Sequence, residues 1–391
     1  MKYFSAQYIF TNSGHPVKKG IVCTEDDGTI ISVEDPGEIL SERHSVEFYN
    51  GIIVPGFVNC HCHLELSYLK NEIPAGSGLA SFLMAVNSLR YSLQKDMDQA
   101  IIEADNEMFR EGIVLCADIC NTGITFNLKM KSRIKYISLL EVFGIDSARA
   151  DNRINEILEL AKTAKEMDLP HWIVPHAIYS ISLPLFRLIK KYSGSNKISS
   201  VHFLESADEE TLLHDHSGPL IDSYKKFLPD VAGLRIAQDH LTAVTDEITS
   251  SGNLILVHNT FVRQEHIEKL KYRDGLYWCL CPNSNLQIEK KMPPAGLLAE
   301  AGCRIVIGTD SLSSNTSLSI IDELKTIQSY FPAFSLETLI GWATINGAKA
   351  LGDDSVSGSI EPGKKPGLVL IKNADLVNMK LLPGTTVQRL I

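Results

Sequence analysis

Eight short apolar runs, separated by stretches of helical periodicity, predict an α/β fold over residues 55–357: a (β/α)8 TIM barrel. Three observations carry this. The runs number eight, and they recur at the spacing of a strand-plus-helix unit. No Gly-x-Gly-x-x-Gly turn follows the first run, as a doubly wound dinucleotide-binding sheet would require.

In order, the runs are Gly56–His63, Ile113–Ile119, Ile134–Val142, His171–His176, Ile198–Phe203, Asn253–His258, Gly275–Cys281 and Cys303–Gly308. Between them the apolar period lengthens to that of a helix, as at Ile101, Ile102, Met108 and Phe109 within Asp98–Gly112. Ahead of the barrel, residues 1–54 carry β-branched runs broken by turn signals: Tyr3–Phe10, Gly20–Thr24, Thr29–Val33 and Val46–Val54. This segment is too thin to bury itself. After helices predicted over Ser319–Tyr330 and Leu336–Leu351, β character returns at Leu368–Ile371. Residues 1–54 and 358–391 are therefore expected to form one small composite β-sandwich domain beside the barrel.

Composition narrows the function. With 391 residues, 44% of them hydrophobic and 21% charged, the chain can fold around a core without disulfide staples. Its net charge of −10 argues against a nucleic-acid polymer or an anionic membrane as partner. The eight cysteines include no Cys-x-x-Cys pair and read as small buried residues in a reducing compartment. With no basic n-region leading into an apolar one, and no apolar stretch of about 18 residues, the expected location is the cytoplasm.

The sharpest local feature is His61-Cys62-His63, at the end of the first run. Side chains alternate across a strand, so both imidazoles can reach one ion while Cys60 and Cys62 point the other way. Other strand ends carry Val201-His202, Val257-His258 and Gly308-Thr309-Asp310. His202 follows His63 by 139 residues, which at about 35 residues per unit places it on strand five; the next steps take His258 to strand six and Asp310 to strand eight. All then gather at the C-terminal mouth of the barrel, where this fold keeps its chemistry.

Several stretches, Pro55 to Glu65, His176-Ala177-Ile178-Tyr179-Ser180, Val201 to Glu205, Val257-His258-Asn259, Cys281 to Asn285 and Gly308 to Ser311, resemble the amidohydrolase superfamily over nearly the whole chain. Their order is similar to that of its aminohydrolase branch of deaminases and chlorohydrolases. Gly308 to Asn315, with His63-Leu64-Glu65, looks most like the aminodeoxyfutalosine, S-adenosylhomocysteine and methylthioadenosine deaminases.

The resemblance implies that His61, His63, His202 and Asp310 hold a metal, and that Asp310 also accepts a proton from the attacking water. It implies that Glu205 shuttles a proton to the ring nitrogen and that His258 polarises the water. One divalent ion is expected, Zn2+ ahead of Fe2+ or Mn2+, because two-metal members use a lysine at the end of strand four, where this chain has Pro175-His176. His176 is then expected to contact substrate, together with Ser311. Glu65 either faces the substrate or supports the site from behind. Asn283, with Ser284 and Asn285, either bonds substrate edges or forms a turn. The Gly76-Ser77-Gly78 segment is a candidate lid hinge. His15, His44, His171, His214, His216, His240 and His266 read as structural or exposed, and Trp172, Trp278 and Trp342 as core.

The implied function is hydrolytic deamination of an amino-substituted heterocycle, an adenine-type nucleoside derivative, with release of ammonia. The alternatives are amide or ring-opening hydrolysis of the imidazolonepropionase kind, or a triazine-type chlorohydrolase. The partner is the small heterocyclic substrate, and a homodimer is the assembly that the resemblance suggests.

Overall fold

A computed structural model describes residues 1–35, 45–93, 95–226, 228, 248 and 252–391. At the N-terminus β1 (Lys2–Ile9), β2 (Val17–Lys18), β3 (Ile21–Thr24), β4 (Ile30–Glu34) and β5 (Val46–Pro55) follow one another. The eight predicted runs become β6 (Phe57–Cys62), β7 (Ile113–Cys120), β8 (Lys135–Val142), β9 (His171–Pro175), β10 (Ile198–Phe203), β11 (Asn253–His258), β12 (Leu276–Leu280) and β13 (Ile305–Ile307). The chain closes with β14 (Leu368–Lys372) and β15 (Thr386–Arg389). The last was not expected: its four residues are half exposed and lack a two-residue apolar period.

The helices are α1 (Leu79–Ser92), α2 (Met97–Arg110), α3 (Phe126–Lys129), α4 (Ala150–Glu166), α5 (Leu183–Ser193), α6 (Ala207–Asp215) and α7 (Pro219–Tyr224), then α8 (Gln264–Leu270), α9 (Pro282–Glu289), α10 (Ala295–Glu300), α11 (Ile320–Tyr330), α12 (Leu336–Ala343) and α13 (Ile345–Ala350). The single helix expected over Leu336–Leu351 is two. Thr344 leaves helical geometry, at φ −135° and ψ −89°, while its hydroxyl donates to the Ile340 carbonyl and accepts from Asn12 Nδ2. A hydroxyl that competes for backbone partners and takes a tertiary bond can break a helix that apolar periodicity would continue.

β6–β9 form one parallel four-stranded sheet in sequence order, and β10–β13 form another. The edges of the two sheets meet at two seams. At one, Ala177 bridges His202 in parallel, and the His202 amide donates to the His176 carbonyl at 2.8 Å. At the other, Cys62 bridges Asp310, and the Thr309 and Asp310 amides both donate to the His61 carbonyl at 3.0 Å. The terminal segments share a third, mixed sheet in the order β15-β14-β5-β1-β3-β4, with β2 on β1.

Helices pack on the two parallel sheets through one large cluster that includes Phe57, Cys62, Ile113, Phe203 and Trp278. A second cluster lines the opposite faces of the strands, with Val58, Cys60, Val174, Val257 and Cys279, and is closed by Ala348 and Leu351. Cys60 therefore does not share Cys62's side as expected. The β6–β7 register slips between Asn59 and Cys62, which breaks strict alternation just before the histidines.

One buried ion pair braces this region. Lys129 Nζ and Asp118 Oδ2 lie 2.6 Å apart with both side chains fully buried, and Asp118 Oδ1 accepts the Leu64 amide at 2.7 Å, directly after His63. Burial works against the charged amine, but Asp118 and Cys120 together outweigh it and hold Lys129 above its ordinary pKa. Lys129→Met strands the Asp118 carboxylate, and we expect a loss of about 3 kcal/mol in urea-unfolding stability. An unchanged urea midpoint would show that Asp118 needs no counter-ion.

Candidate active site

His61 and His63 reach one point from the end of β6. Their Nε2 atoms are 3.2 Å apart, and Asp310 Oδ1, just past β13, lies 3.7 and 3.5 Å from them. His202, from β10, completes a group of three buried imidazoles whose nitrogens lie within 4.8 Å of one another. Its Nδ1 faces the His176 carbonyl at 2.9 Å, which leaves Nε2 for the group. Bonds of about 2.1 Å to one tetrahedral ion hold donor atoms about 3.4 Å apart, so this spacing is that of a ligand set.

The electrostatics agree. Burial first, and then mutual repulsion, keep the histidines neutral as ligands must be: His61 well below its ordinary value, His63 down at about 3 despite the pull of Asp310, and His202 lowered too. The buried Nδ1 of His61 has no hydrogen-bond partner. Burial pushes Asp310 up, but His63, His258 and the hydroxyls of Ser284 and Ser314 more than offset it and hold the carboxyl below its usual range. Both hydroxyls donate to Oδ2, at 2.6 and 2.7 Å, and leave Oδ1 to the histidines. The residues fit a divalent metal ion. Close packing enforces the arrangement: a Cβ at Gly308 would stand 2.8 Å from His61 Cβ.

Beside this group, Glu205 Oε2 lies 3.3 Å from His258 Nε2, and Glu205 Oε1 accepts a hydrogen bond from the Tyr179 hydroxyl. Asn285 Nδ2 donates to His258 Nδ1 at 3.1 Å, an assignment that turns the ring's Nε2–H toward Glu205. Burial and the nearby Glu209 charge raise Glu205 well above the ordinary carboxyl range. Glu209 in turn accepts the backbone amides of Leu204, Glu205 and Ser206 at the start of α6. Leu204, His258, Asn259 and Asp310 all have positive φ, between 47° and 76°. Non-glycine residues held there by their surroundings cluster where geometry serves chemistry.

A cavity of about 480 Å³ opens over this floor, a size suited to a small organic ligand. His63, His176, His202, Glu205, His258, Asp310 and Ser311 reach it from below. Leu79, Phe82, Leu83 and Val86 of α1 wall one side, with Leu220 and Tyr224 of α7. His176 lines it, its Nδ1 2.6 Å from Ser180 Oγ, and burial lowers its pKa to about 4. The candidate hinge is stitched to α9: the Gly76 amide donates to the Gln287 carbonyl and the Gly78 amide to that of Ile288.

Two expected substrate contacts lie elsewhere. Glu65 does not line the cavity; its carboxylate accepts the amides of Asn121 and Thr122 at 3.1 Å, and Arg90 stands 3.5 Å away. This supports the site from behind, because the chain turns into a 3-10 helix directly after His63. Asn283 is turned toward α11: its amide donates to Glu323 at 3.0 Å and its side chain accepts from Thr326. Its neighbours Ser284 and Asn285 serve Asp310 and His258 instead of substrate.

Sequence reasoning passed over Glu141, Tyr179, Asn121 and Arg90, all of which line the cavity. Tyr179 lies within His176-Ala177-Ile178-Tyr179-Ser180, but nothing in the sequence points its hydroxyl at Glu205. Trp278 and Trp342 are core residues as expected, and Trp172 is partly buried. His44 and His240 lie outside the described residues. Among the described residues no helix is long and apolar enough to cross a membrane.

Known proteins resemble this chain along most of its length. An adenosine deaminase of Helicobacter pylori is 28% identical over 82% of this chain and 79% of its own length. The crystal structure of an aminofutalosine deaminase from Helicobacter pylori, in complex with methylthio-coformycin, superposes with a TM-score of 0.79 at 24% identity, over 96% of this chain and 93% of that one. An adenosine deaminase from Xanthomonas campestris with bound zinc gives 0.69 at 21%, over 96% and 85%. The amidohydrolase family profile matches residues 52–387, from β5 through β15 and so across every residue of the site, and the chain belongs to that family.

Proposed function

We propose that the protein is a metal-dependent hydrolase of carbon–nitrogen bonds that deaminates an adenine-type nucleoside derivative and releases ammonia. The observation that carries the reading is the Glu205–His258 pair, 3.3 Å apart beside the three-histidine and Asp310 group at the cavity floor. A divalent ion held by His61, His63, His202 and Asp310 would make water nucleophilic near neutral pH. Asp310 Oδ1 takes a proton from the attacking water, and the imidazole of His258 orients that water. Glu205, kept neutral by burial, gives its proton to the ring nitrogen next to the carbon under attack. Asp310 returns its proton to the amine, the carbon–nitrogen bond breaks and ammonia leaves, while the new hydroxyl on that carbon gives its proton to Glu205 as it becomes the carbonyl. Curated relatives named adenosine, aminodeoxyfutalosine and methylthioadenosine/S-adenosylhomocysteine deaminases support the substrate class.

We assign one ion, zinc, because imidazole and carboxylate donors suit it and the Xanthomonas relative binds it. A second donor group, Glu141, His176 and His202, shares His202, whose Nδ1 is already committed to the His176 carbonyl. We further propose that β6–β13 close through the two seams into a barrel and that the mixed terminal sheet is a small separate domain. A homodimer in the cytoplasm is the assembly and location that we put forward with this reading. Its cysteines, all eight of them free thiols, suit a reducing compartment.

The test is ammonia release by the zinc-loaded protein from adenosine, 5′-substituted adenosines, guanine, cytosine and aminotriazines. We expect turnover of one or more adenosines. Silence across the panel, in protein holding one metal per chain, would move the assignment to amide or ring-opening hydrolysis.

A further inference from the structure

Glu141 lies one residue before the end of β8, 3% exposed, and lines the cavity beside His176 and His202. Its two oxygens differ. Oε2 accepts from Asn121 Nδ2 at 2.8 Å, and Asn121 Oδ1 in turn faces Arg90 at 3.4 Å. Arg90 is also held by Glu65, so a continuous chain of side chains fixes the carboxyl in place. Oε1 is buried and has no hydrogen-bond partner.

Three uses for that oxygen can be weighed. Orientation of His202 fails on distance: Oε1 is 3.6 Å from Nδ1, beyond hydrogen-bond reach, and Nδ1 already has a carbonyl partner at 2.9 Å. A second metal is poorly served, because its group would share His202 with the first donor group, and the other His202 nitrogen, Nδ1, already meets the His176 carbonyl. A donor carried by the substrate remains. A buried, preorganised acceptor is costly when unmet and selective when met, because a ligand lacking the donor leaves it unpaired.

On the nucleoside reading above, on which this rests, the amine end of the base meets Glu205 and Asp310. The sugar hydroxyls are then the donors still to be placed. Glu141 Oε1 lies on the Nδ1 side of the His202 ring, 3.6 Å from that nitrogen, whereas the opposite nitrogen is the one left for the His61 and His63 group. We infer that Glu141 determines specificity by accepting a hydrogen bond from a sugar hydroxyl of the substrate.

The experiment compares kcat/KM for adenosine, 2′-deoxyadenosine and 3′-deoxyadenosine in zinc-loaded wild type, E141Q and E141A, with metal content measured in each. Wild type is expected to favour adenosine over one of the deoxy analogues by about 30-fold, the effect of a charge-assisted hydrogen bond. In E141A that preference falls within about 3-fold, chiefly through KM for adenosine, with one metal per chain retained. E141Q keeps the side-chain volume and gives an intermediate preference, so the test survives if E141A does not fold. Turnover with undiminished discrimination in the variants, an equal loss on all three substrates, or loss of metal would overturn this inference alone. No turnover of any of the three by wild type would overturn the nucleoside reading and this inference with it.

Discussion

Asp310→Ala is expected to lower kcat for ammonia release by about 10,000-fold, because it removes a metal donor and a proton acceptor in one change. Asp310 Oδ1 lies within 4 Å of both His61 and His63, so its loss also removes the one anionic member of the donor set. Ser284 and Ser314, which now donate to Oδ2, lose their acceptor together. The two functions act as a unit, so their separate contributions will not add. Asp310→Asn separates them in part: it keeps the volume and an oxygen donor but cannot take up a proton at that oxygen. Metal content and steady-state rates check this, and a rate within tenfold of wild type in Asp310→Ala would remove Asp310 from the machinery.

Glu205→Gln is expected to lower kcat by about 1,000-fold, within the range for a positioned general acid–base group, while metal content stays at the wild-type level. Glutamine can still accept from Tyr179 and face His258, so the geometry should survive. What it lacks is a transferable proton. In wild type, burial and Glu209 hold this carboxyl neutral well above the usual range. The proton donor therefore persists to higher pH than it would on an ordinary, solvated glutamate. Parallel loss of metal and activity in Glu205→Gln would place Glu205 among the supports of the ligand set.

The contrast between these residues and the ones that sequence reasoning missed is physical. His61, His63, His202, His258 and Asp310 were legible because each sits at the end of an apolar run, and run ends in a parallel sheet gather on one side. The strand bounds at Ile198–Phe203 and Asn253–His258 coincide with the predicted ones: Lys197, Gly252 and Asn259 bound three of the four ends, and at the fourth the chain leaves extended geometry at Leu204, φ 47°. Glu141 was not legible: one acid in Leu139-Leu140-Glu141-Val142 does not say which face it takes. Tyr179 and Asn285 act through partners 26 and 27 residues distant, and no local pattern encodes that reach. Glu65 and Asn283 failed for the opposite reason. Adjacency to a motif leaves direction open, and one turn of 3-10 or α-helix after each motif points these side chains away from the cavity.

The two seams between the parallel sheets carry one more consequence. His61 and His63 come from one sheet and His202 and Asp310 from the other, and each seam is laced by backbone bonds at these same residues. Any ion gripped by all four therefore works as a rivet through the join. Affinity for the ion and cohesion of the two halves become one free energy seen from two sides, so each must rise and fall with the other. Chelation should then be felt first as faster hydrogen exchange at the His202, Thr309 and Asp310 amides, before the rest of either sheet loosens.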